Sequence, residues 1–375
     1  MTAVDERKVV YVEKDAKPPL VISDDPSEHV EFNKQDEFWK YLPKKIIEPL
    51  AEQAPEAGNA VLKAQNAKLT TTLTTTGIAG LRVRDIVTAK SIASSHHSFV
   101  VTVDSNLKPD ELVELDLSAV GDSNSAFEIN IAPHVQTQIV LRDRCQGNTA
   151  LNLSVNVGKG ANVKFVLLTE QSATGIHYGH FSVNVGRDAA LSAGIISLGG
   201  SVVRRSFDSR FDDVSGEMIL LGATHTTDGQ YSEHRTVVDH NIPHCRSFVD
   251  FRCAVDGEGS HSVWIGDTII RYNAIGSDTY ETNRNLVLSK GARADSVPNL
   301  EIETGEVAGA GHASATGRLD DEQLFYLTSR GLTSEEALKL IVVGFFSNIV
   351  TRMGIPSIVE EVISTIESKL KQGQQ

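Results

Sequence analysis

The densest group of metal-binding residue types lies in the run EHRTVVDHNIPHCRS, residues 233–247. It contains His234, Asp239, His240, His244 and Cys245. On a strand, His234 and His240 face the same side but lie about 20 Å apart, too far to share one ion. A turn at Pro243 would be needed to bring His244 or Cys245 back. We therefore favour hydrogen bonding along the surface or at a subunit contact over a metal site, and the roles of these residues stay open.

Another histidine, His312, has an unusual setting. In GAGHASATG, residues 309–317, every residue other than His312 is Gly, Ala, Ser or Thr. From Leu319 onward the chain changes to an amphipathic helical pattern that starts with acidic residues. A single imidazole thus lies in a strip with little side-chain bulk, at the junction of two kinds of architecture.

A group of carboxylates lies in RSFDSRFDDVSGE, residues 205–217. It consists of Asp208, Asp212, Asp213 and Glu217. Paired carboxylates perform glycoside hydrolysis, so a β-helix carbohydrate-active enzyme is the alternative function. No aromatic run flanks them to stack on sugar rings, and we favour a solvated loop. The chain also lacks the GxxxxGK[ST], GxGxxG, HExxH, GxSxG and CxxC motifs.

Composition restricts the partners. Lys and Arg number 35 against 49 Asp and Glu, a formal charge of -14, which argues against nucleic acid unless a local basic patch intervenes. The N-terminal sequence lacks the apolar stretch of a signal peptide, so we expect a cytoplasmic protein. LIVVGFF, residues 340–346, is far shorter than the roughly 20 residues of a membrane span. The three cysteines, without a CxxC pair, are expected to be buried thiols.

Short alternating runs dominate from about 78 to 318 and predict strands of four to eight residues. The turns VGKGA (157–161), VGRDA (185–189) and LSKGA (288–292) share one outline, and the first two recur after 28 residues. Equivalent corners of this kind are typical of a β-solenoid. A β-sandwich is the competitor, but about 240 residues of short strands are long for one sandwich.

Helical periodicity is confined to the two ends of the chain. Capping-box patterns at Asp320/Gln323, Thr333/Glu336 and Ser357/Glu360 predict three C-terminal helices, with stops at Gly331 and Gly354. Near the N-terminus, Pro43 and Pro49 divide residues 36–53 into two short helical pieces. We predict a helical and extended region at 1–70, a β-helix core at 71–318 and a helical domain at 319–375.

Residues 296–332, SVPNLEIETGEVAGAGHASATGRLDDEQLFYLTSRGL, resemble the most distinctive block of the SufB/SufD family of iron–sulfur cluster assembly proteins. Further matches are TYETNRNLVLSKGA (279–292), SLGGSVVRR (197–205), the histidine series at 233–247 and EFWKYLP (37–43). The resemblance is specific over about 200–375. Length and the missing N-terminal cysteine motif place it nearer to the SufD members than to SufB.

The resemblance implies a mainly β protein with a right-handed parallel β-helix between helical ends. It also implies a scaffold without enzymatic activity that pairs with a SufB-like subunit through the β-helix. A SufC-like ATPase would bind the C-terminal helices, and a homodimer is expected in isolation. For the ATPase-binding surface we predict five apolar residues: Leu324, Phe325, Leu327, Phe345 and Phe346.

Within the family, the histidine matching His312 lies at the SufB/SufD interface as a proposed cluster ligand. The resemblance therefore implies that His312 is a candidate iron or cluster ligand, with a histidine that only bridges the interface as the alternative. Many relatives have Cys two residues earlier, where this chain has Ala310. We expect no cofactor to be held stably by the lone chain, and a nascent cluster to be shared with the partner.

Overall fold

The computed structural model describes residues 22–23, 25–29, 39–42, 46, 60–72, 78–95, 98–108, 111–170 and 174–372. Within this part the chain coils as a β-solenoid of about eight turns, with two nine-stranded sheets on opposite sides. The prediction of a mainly β solenoid with small terminal helical regions is confirmed. None of the helices in the described part is long and apolar enough to cross a lipid bilayer.

From β3 onward, strands alternate between the two sheets along the chain. Sheet A contains β1 (Val61–Gln65), β4 (Val113–Ser118), β6 (Gln136–Asp143), β8 (Asn162–Thr169), β10 (Ala190–Ser197), β12 (Glu217–Thr226), β14 (Arg246–Val255), β16 (Asp278–Val287) and β18 (Gly309–Arg318), in this order. Sheet B contains β2 (Lys68–Thr72), β3 (Ser98–Val103), β5 (Ser123–Ile131), β7 (Thr149–Val157), β9 (Ile176–Val185), β11 (Val202–Phe211), β13 (Tyr231–His240), β15 (His261–Ile270) and β17 (Arg293–Ile302). All neighbours pair in parallel except β1 with β4 and β2 with β3, which are antiparallel.

Equivalent residues of successive turns form rows because the strands pair in register. One inward-facing row of sheet A consists of Phe165, Ala193, Leu220, Val249, Glu281 and His312. Its first four members belong to the apolar core between the sheets. The row therefore changes from apolar to ionisable side chains in the last two turns.

The corners that lead from sheet B to sheet A stack on one another. Gly160 and Asp188 both have left-handed backbone conformations, with φ of 63° and 53°. The Gly160 amide donates to the Arg187 carbonyl of the next turn at 2.8 Å. VGKGA and VGRDA thus occupy equivalent corners, as their 28-residue spacing predicts. The third turn, LSKGA, lies between β16 and β17 and belongs to the opposite edge of the solenoid.

Four α-helices have their bounds within the described residues: α1 (Ile86–Ala93), α2 (Asp321–Ser329), α3 (Ser334–Arg352) and α4 (Pro356–Gln372). Thr333 and Glu336 form the predicted capping box of α3, and Gly331 and Gly354 have positive φ angles after α2 and α3. Ser357 does not cap a helix, because α4 already starts at Pro356. Helix α1 was not predicted, and most of the two N-terminal helical pieces lies outside the described residues.

Helices α3 and α4 cover the outer face of sheet A. Val342, Phe346 and Ile349 of α3 are fully buried in a second apolar core with outward residues of sheet A such as Leu221 and Ala254. Burial of this area stabilises the helices, because most helical stability in proteins comes from packing of an apolar face. Helices α3 and α4 are therefore part of the solenoid's packing and not a loosely attached tail.

Candidate functional site

The last turn of the solenoid is open. Strands β17 and β18 each have a hydrogen-bonded neighbour on one side only, within the described chain. Neither strand contains a buried residue, whereas most residues of β13 to β15 are buried. Two parallel strand edges therefore present unpaired backbone groups at one end of the molecule, which is a template for pairing with another chain.

His312 lies in the middle of β18, on this open turn, with an exposed side chain. It is matched in register with Glu281 of β16, the neighbouring strand of sheet A. The flanking residues Ala313 and Gly311 are small, so another chain can approach the imidazole closely. The structure thus places His312 at the mouth of the solenoid interior.

Glu281 is a residue that the sequence analysis missed. Its side chain is 1% exposed, and its Oε2 accepts a hydrogen bond from the Thr268 hydroxyl of sheet B at 3.1 Å. Its other oxygen, Oε1, has no hydrogen-bond partner among the described residues. Burial raises the pKa of this carboxyl to about 7, with a smaller contribution from the charge of Asp267. The sequence signal that could have identified Glu281 is its acidic side chain at a position of β16 that faces the same side as Thr279 and Asn283.

Together, an imidazole and a carboxyl group one strand apart are chemically suited to a metal of intermediate hardness such as iron. Two groups do not complete a coordination sphere. No set of three or more His, Cys, Asp or Glu side chains that could hold a metal ion occurs in the described part of the chain. A metal or cluster at this end would need further ligands from a partner.

The predicted histidine and cysteine group does not form one site. His234 and His240 do share a face, as strand parity predicts, but this face is the interior and not the surface. His234 lies 3.1 Å from the Ser197 hydroxyl and His240 lies 2.8 Å from the Ser247 hydroxyl. Burial lowers the pKa of His234 to about 3 and of His240 to about 4, so both are neutral at pH 7. His244 is exposed at a corner, and Cys245 is buried.

The carboxylates considered for glycoside chemistry are separated by the fold. Asp208 is fully buried on the outer face of sheet B, where it pairs with Arg84 and, at 2.8 Å, with Arg82. These guanidinium groups hold the pKa of Asp208 well below its usual range despite burial. Asp212 and Asp213 lie at the following corner, and Glu217 begins β12. The solvated-loop interpretation was wrong for Asp208, and its burial in an ion pair separates it from the other three carboxylates.

The five residues predicted to bind an ATPase differ in exposure. Phe325 of α2 is 73% exposed, and Leu324, Leu327 and Phe345 are half-buried. Phe346 is fully buried, with its ring 5.2 Å from that of Phe345, and it contributes to the chain's own core. Its assignment to a partner-binding surface therefore requires correction. Two further apolar residues of the same helices, Tyr326 and Leu340, are 56% and 54% exposed and were not predicted from the sequence.

Known proteins have sequences similar to this chain. The profile of the SUF system FeS cluster assembly SufBD core domain matches residues 121–345. An iron–sulfur cluster assembly SufBD family protein of Mycobacterium tuberculosis is 37% identical over 353 residues, which cover 90% of this chain and 89% of the relative. The iron–sulfur cluster assembly protein SufD of Escherichia coli is 26% identical over 60% of this chain and 53% of its own length. SufD of Bacillus subtilis is 33% identical over 38% of this chain and 36% of its own length.

Proposed function

Because this chain belongs to the SufBD family of iron–sulfur cluster assembly proteins, we propose that it is the SufD-type scaffold subunit of a SufBCD-type complex. In this role it pairs with a SufB-like subunit and binds a SufC-like ATPase. It supports iron acquisition and the assembly of a nascent cluster, and it performs no catalytic turnover itself. The cluster is the cargo of the complex.

The observation that carries this proposal is the open last turn with His312 at its mouth. A SufB-like solenoid that adds its own strands to β17 and β18 would satisfy their free backbone groups and continue both sheets. Pairing of this kind would bring the partner's residues to His312 and Glu281. In isolation, the same edges would pair with a second copy of this chain.

The cysteines of this chain support a shared site over an independent one. Cys145, Cys245 and Cys253 are all buried, and burial raises the pKa of each thiol, in the case of Cys253 to about 12. Since the thiolate is the metal-binding form, none of these residues is suited to hold iron. In this proposal, thiolate ligands come from the partner and the imidazole comes from His312.

The apolar residues exposed on the C-terminal helices support ATPase docking. Phe325 and Tyr326 of α2 and Leu340 of α3 are each more than half exposed. Exposed aromatic residues are enriched at protein interfaces, whereas a solvated helix surface is normally polar. We assign these three side chains and the half-buried Leu324, Leu327 and Phe345 to the contact with the SufC-like subunit.

Co-expression tests the proposed function. The chain is produced with the SufB-like and SufC-like proteins of its own organism, and the complex is isolated by size-exclusion chromatography. Iron and acid-labile sulfide are then measured on the purified fraction and on the lone chain. We expect one complex that contains all three proteins and carries a cluster, with little iron on the lone chain. Failure of the three proteins to associate, or turnover of a carbohydrate by the lone chain, would refute the proposal.

A further inference from the structure

A polar groove of about 620 Å³ lies outside the solenoid, near its open end and away from His312's inward-facing row. Its floor is formed by outward residues of β14, β16 and β18, including Ala313 and Ala315, and the end of α3 forms one wall. The charged residues that line it are Arg252, Arg284, Arg352 and Asp250. Three guanidinium groups and one carboxylate leave a formal charge of +2, in a chain whose net charge is -14.

Asp250 neutralises only part of this charge. Its Oδ2 lies 2.7 Å from Nη1 of Arg352 and 4.0 Å from Nη2 of Arg252. Arg284 is exposed, and no ion pair joins it to a carboxylate in the described part of the chain. Arg252 and Arg284 are matched in register on neighbouring strands, where like charges destabilise a sheet.

The charged groups around Arg252 are also more positive than negative. Burial lowers the pKa of its guanidinium, Asp250 opposes this, and Arg284 and Arg352 lower the pKa further. Its Nη1 and Nη2 donate to the Phe345 carbonyl and the Asn348 side chain of α3. Its Nε is buried and has no hydrogen-bond partner among the described residues. Anchoring α3 therefore accounts for only part of the hydrogen-bonding capacity of Arg252, and it does not account for Arg284.

We propose that this groove binds a phosphate group. Guanidinium groups match phosphate oxygens in bidentate geometry, and a phosphate group carries roughly -1.5 to -2 at pH 7, close to the +2 of the groove. A single carboxylate would leave part of this charge uncompensated. The small side chains of Ala313 and Ala315 leave room for an ester substituent, so free phosphate and a small phosphomonoester are both sources of the same chemistry.

A stacked ring is not part of the proposed ligand. The Arg352 guanidinium lies over the Phe248 ring at 4.9 Å, and the Tyr280 ring stacks on Phe248 at 6.3 Å. Tyr280 also extends over Gly311, where an added Cβ would lie 3.1 Å from the ring. These contacts engage the Phe248 ring, and the proposal therefore assigns recognition of the anion to the guanidinium groups.

Calorimetric titration of the purified full-length chain at low ionic strength tests the proposal. The probes are inorganic phosphate, glycerol 3-phosphate and a glutamate-rich peptide. Arg284→Gln removes an exposed groove cation, and Arg246→Gln is the matched control, because Arg246 lies on β14 outside the groove and pairs with Glu217. We expect Arg284→Gln to weaken phosphate binding by about tenfold or more, whereas Arg246→Gln leaves it nearly unchanged.

The possible results distinguish free phosphate, a phosphomonoester and an acidic protein partner. Tighter binding of inorganic phosphate than of the ester supports free phosphate as the ligand, and the reverse order supports a phosphomonoester. Absence of phosphate and ester binding overturns the proposal, as does equal weakening by the Arg284 and Arg246 substitutions. Arg284-dependent binding of the acidic peptide without phosphate binding also overturns it, in favour of an acidic protein partner. None of these results depends on cluster assembly at His312.

Discussion

Glu281 and His312 occupy matched positions on the last two strands of sheet A, in a row that is apolar in the preceding turns. Glu281 is buried in the interior and His312 is exposed on the terminal strand. The ionisable part of the row is therefore confined to the β17/β18 end of the solenoid, where both sheets lack a further neighbour within the described chain, as they also do at the β1/β2 end. This coincidence of unpaired strands and metal-binding groups distinguishes the terminal turn from the others.

Replacement of His312 by alanine is expected to deplete the cluster without unfolding the chain. The exposed ring makes little contribution to the core, so the free energy of unfolding should fall by less than about 1 kcal/mol. Complex assembly, iron and sulfide are measured on the same co-expressed sample. An intact complex with low iron supports a ligand role, and loss of the complex supports an interface role. Normal assembly with normal iron would contradict both.

Glu281→Gln is expected to reduce iron in the complex while it preserves the fold. The amide has nearly the shape of the carboxyl group and can still accept the hydrogen bond from Thr268, but it binds cations poorly. Iron content is compared with that of Glu301→Gln, an exposed control on the neighbouring terminal strand. Equal iron in the two variants would remove Glu281 from the site and leave the scaffold role intact.

Replacement of Phe325 should affect ATPase binding, whereas replacement of Phe346 should affect the stability of the chain. Phe325→Glu places a charge on an exposed position, so it should abolish capture of the SufC-like ATPase while stability changes by less than about 0.5 kcal/mol. Phe346→Ala opens a cavity beneath α3 and should cost about 3 to 5 kcal/mol. Pull-down assays and urea denaturation measure the two effects. ATPase capture by Phe325→Glu at the wild-type level would refute the docking assignment.

Asp208→Asn is expected to destabilise the chain by about 3 to 5 kcal/mol, because it leaves the charges of buried Arg84 and Arg82 without their carboxylate. Asp212→Asn is the control, since Asp212 is exposed at the next corner. Urea denaturation at neutral pH compares the two variants. A loss below about 1 kcal/mol for Asp208→Asn would show that this ion pair does not anchor the segment around Arg84.

Acid should destabilise the fold from about pH 6.5 downward. Burial lowers the pKa to between about 3 and 4 in five histidines: His177, His180, His225, His234 and His240. Between about pH 6.5 and these lowered pKa values, the unfolded chain binds protons that the folded chain does not, so the free energy of unfolding falls as the pH falls through this range. Each one adds up to about 1.4 kcal/mol per pH unit to the slope.

His225→Leu isolates one of these contributions. Neither ring nitrogen of His225 has a hydrogen-bond partner among the described residues, and the ring packs against Phe346 beneath α3. The variant should therefore be at least as stable as the wild type at pH 7 and should lose less stability at pH 5. Urea denaturation at both pH values provides the measurement. An unchanged pH slope would show that His225 is not buried as a neutral group.

Local pattern predicted much of the architecture. Strand alternation gave the solenoid, and the 28-residue spacing gave the equivalent corners at Gly160 and Asp188. Parity placed His234 and His240 on one face, and the Thr333/Glu336 pattern identified the start of α3. Helix α1 was missed, because it has only eight residues, IVTAKSIA, and lies in a region of strand-like runs.

Contacts between distant parts of the chain decided the rest. Asp208 has the sequence context of a surface loop, yet Arg82 and Arg84, more than 120 residues earlier, allow it to be buried. Phe345 and Phe346 are adjacent in sequence, and only packing against sheet A determines which of them is fully buried. In the same way, Arg252, Arg284 and Arg352 form one groove because β14, β16 and α3 meet there.

By itself, the sequence determined the period of each segment, because side-chain alternation, turn residues and helix caps act over a few neighbouring positions. The strip of small residues around His312 is also visible in the sequence alone. Only the tertiary structure decided which face of each strand is interior and which turn remains unpaired. These outcomes depend on the register between strands about 30 residues apart, and on the burial that follows when two sheets and a helical layer close over one another. His312 is identifiable from its neighbours in sequence, whereas Glu281 is identifiable only from its neighbours in space.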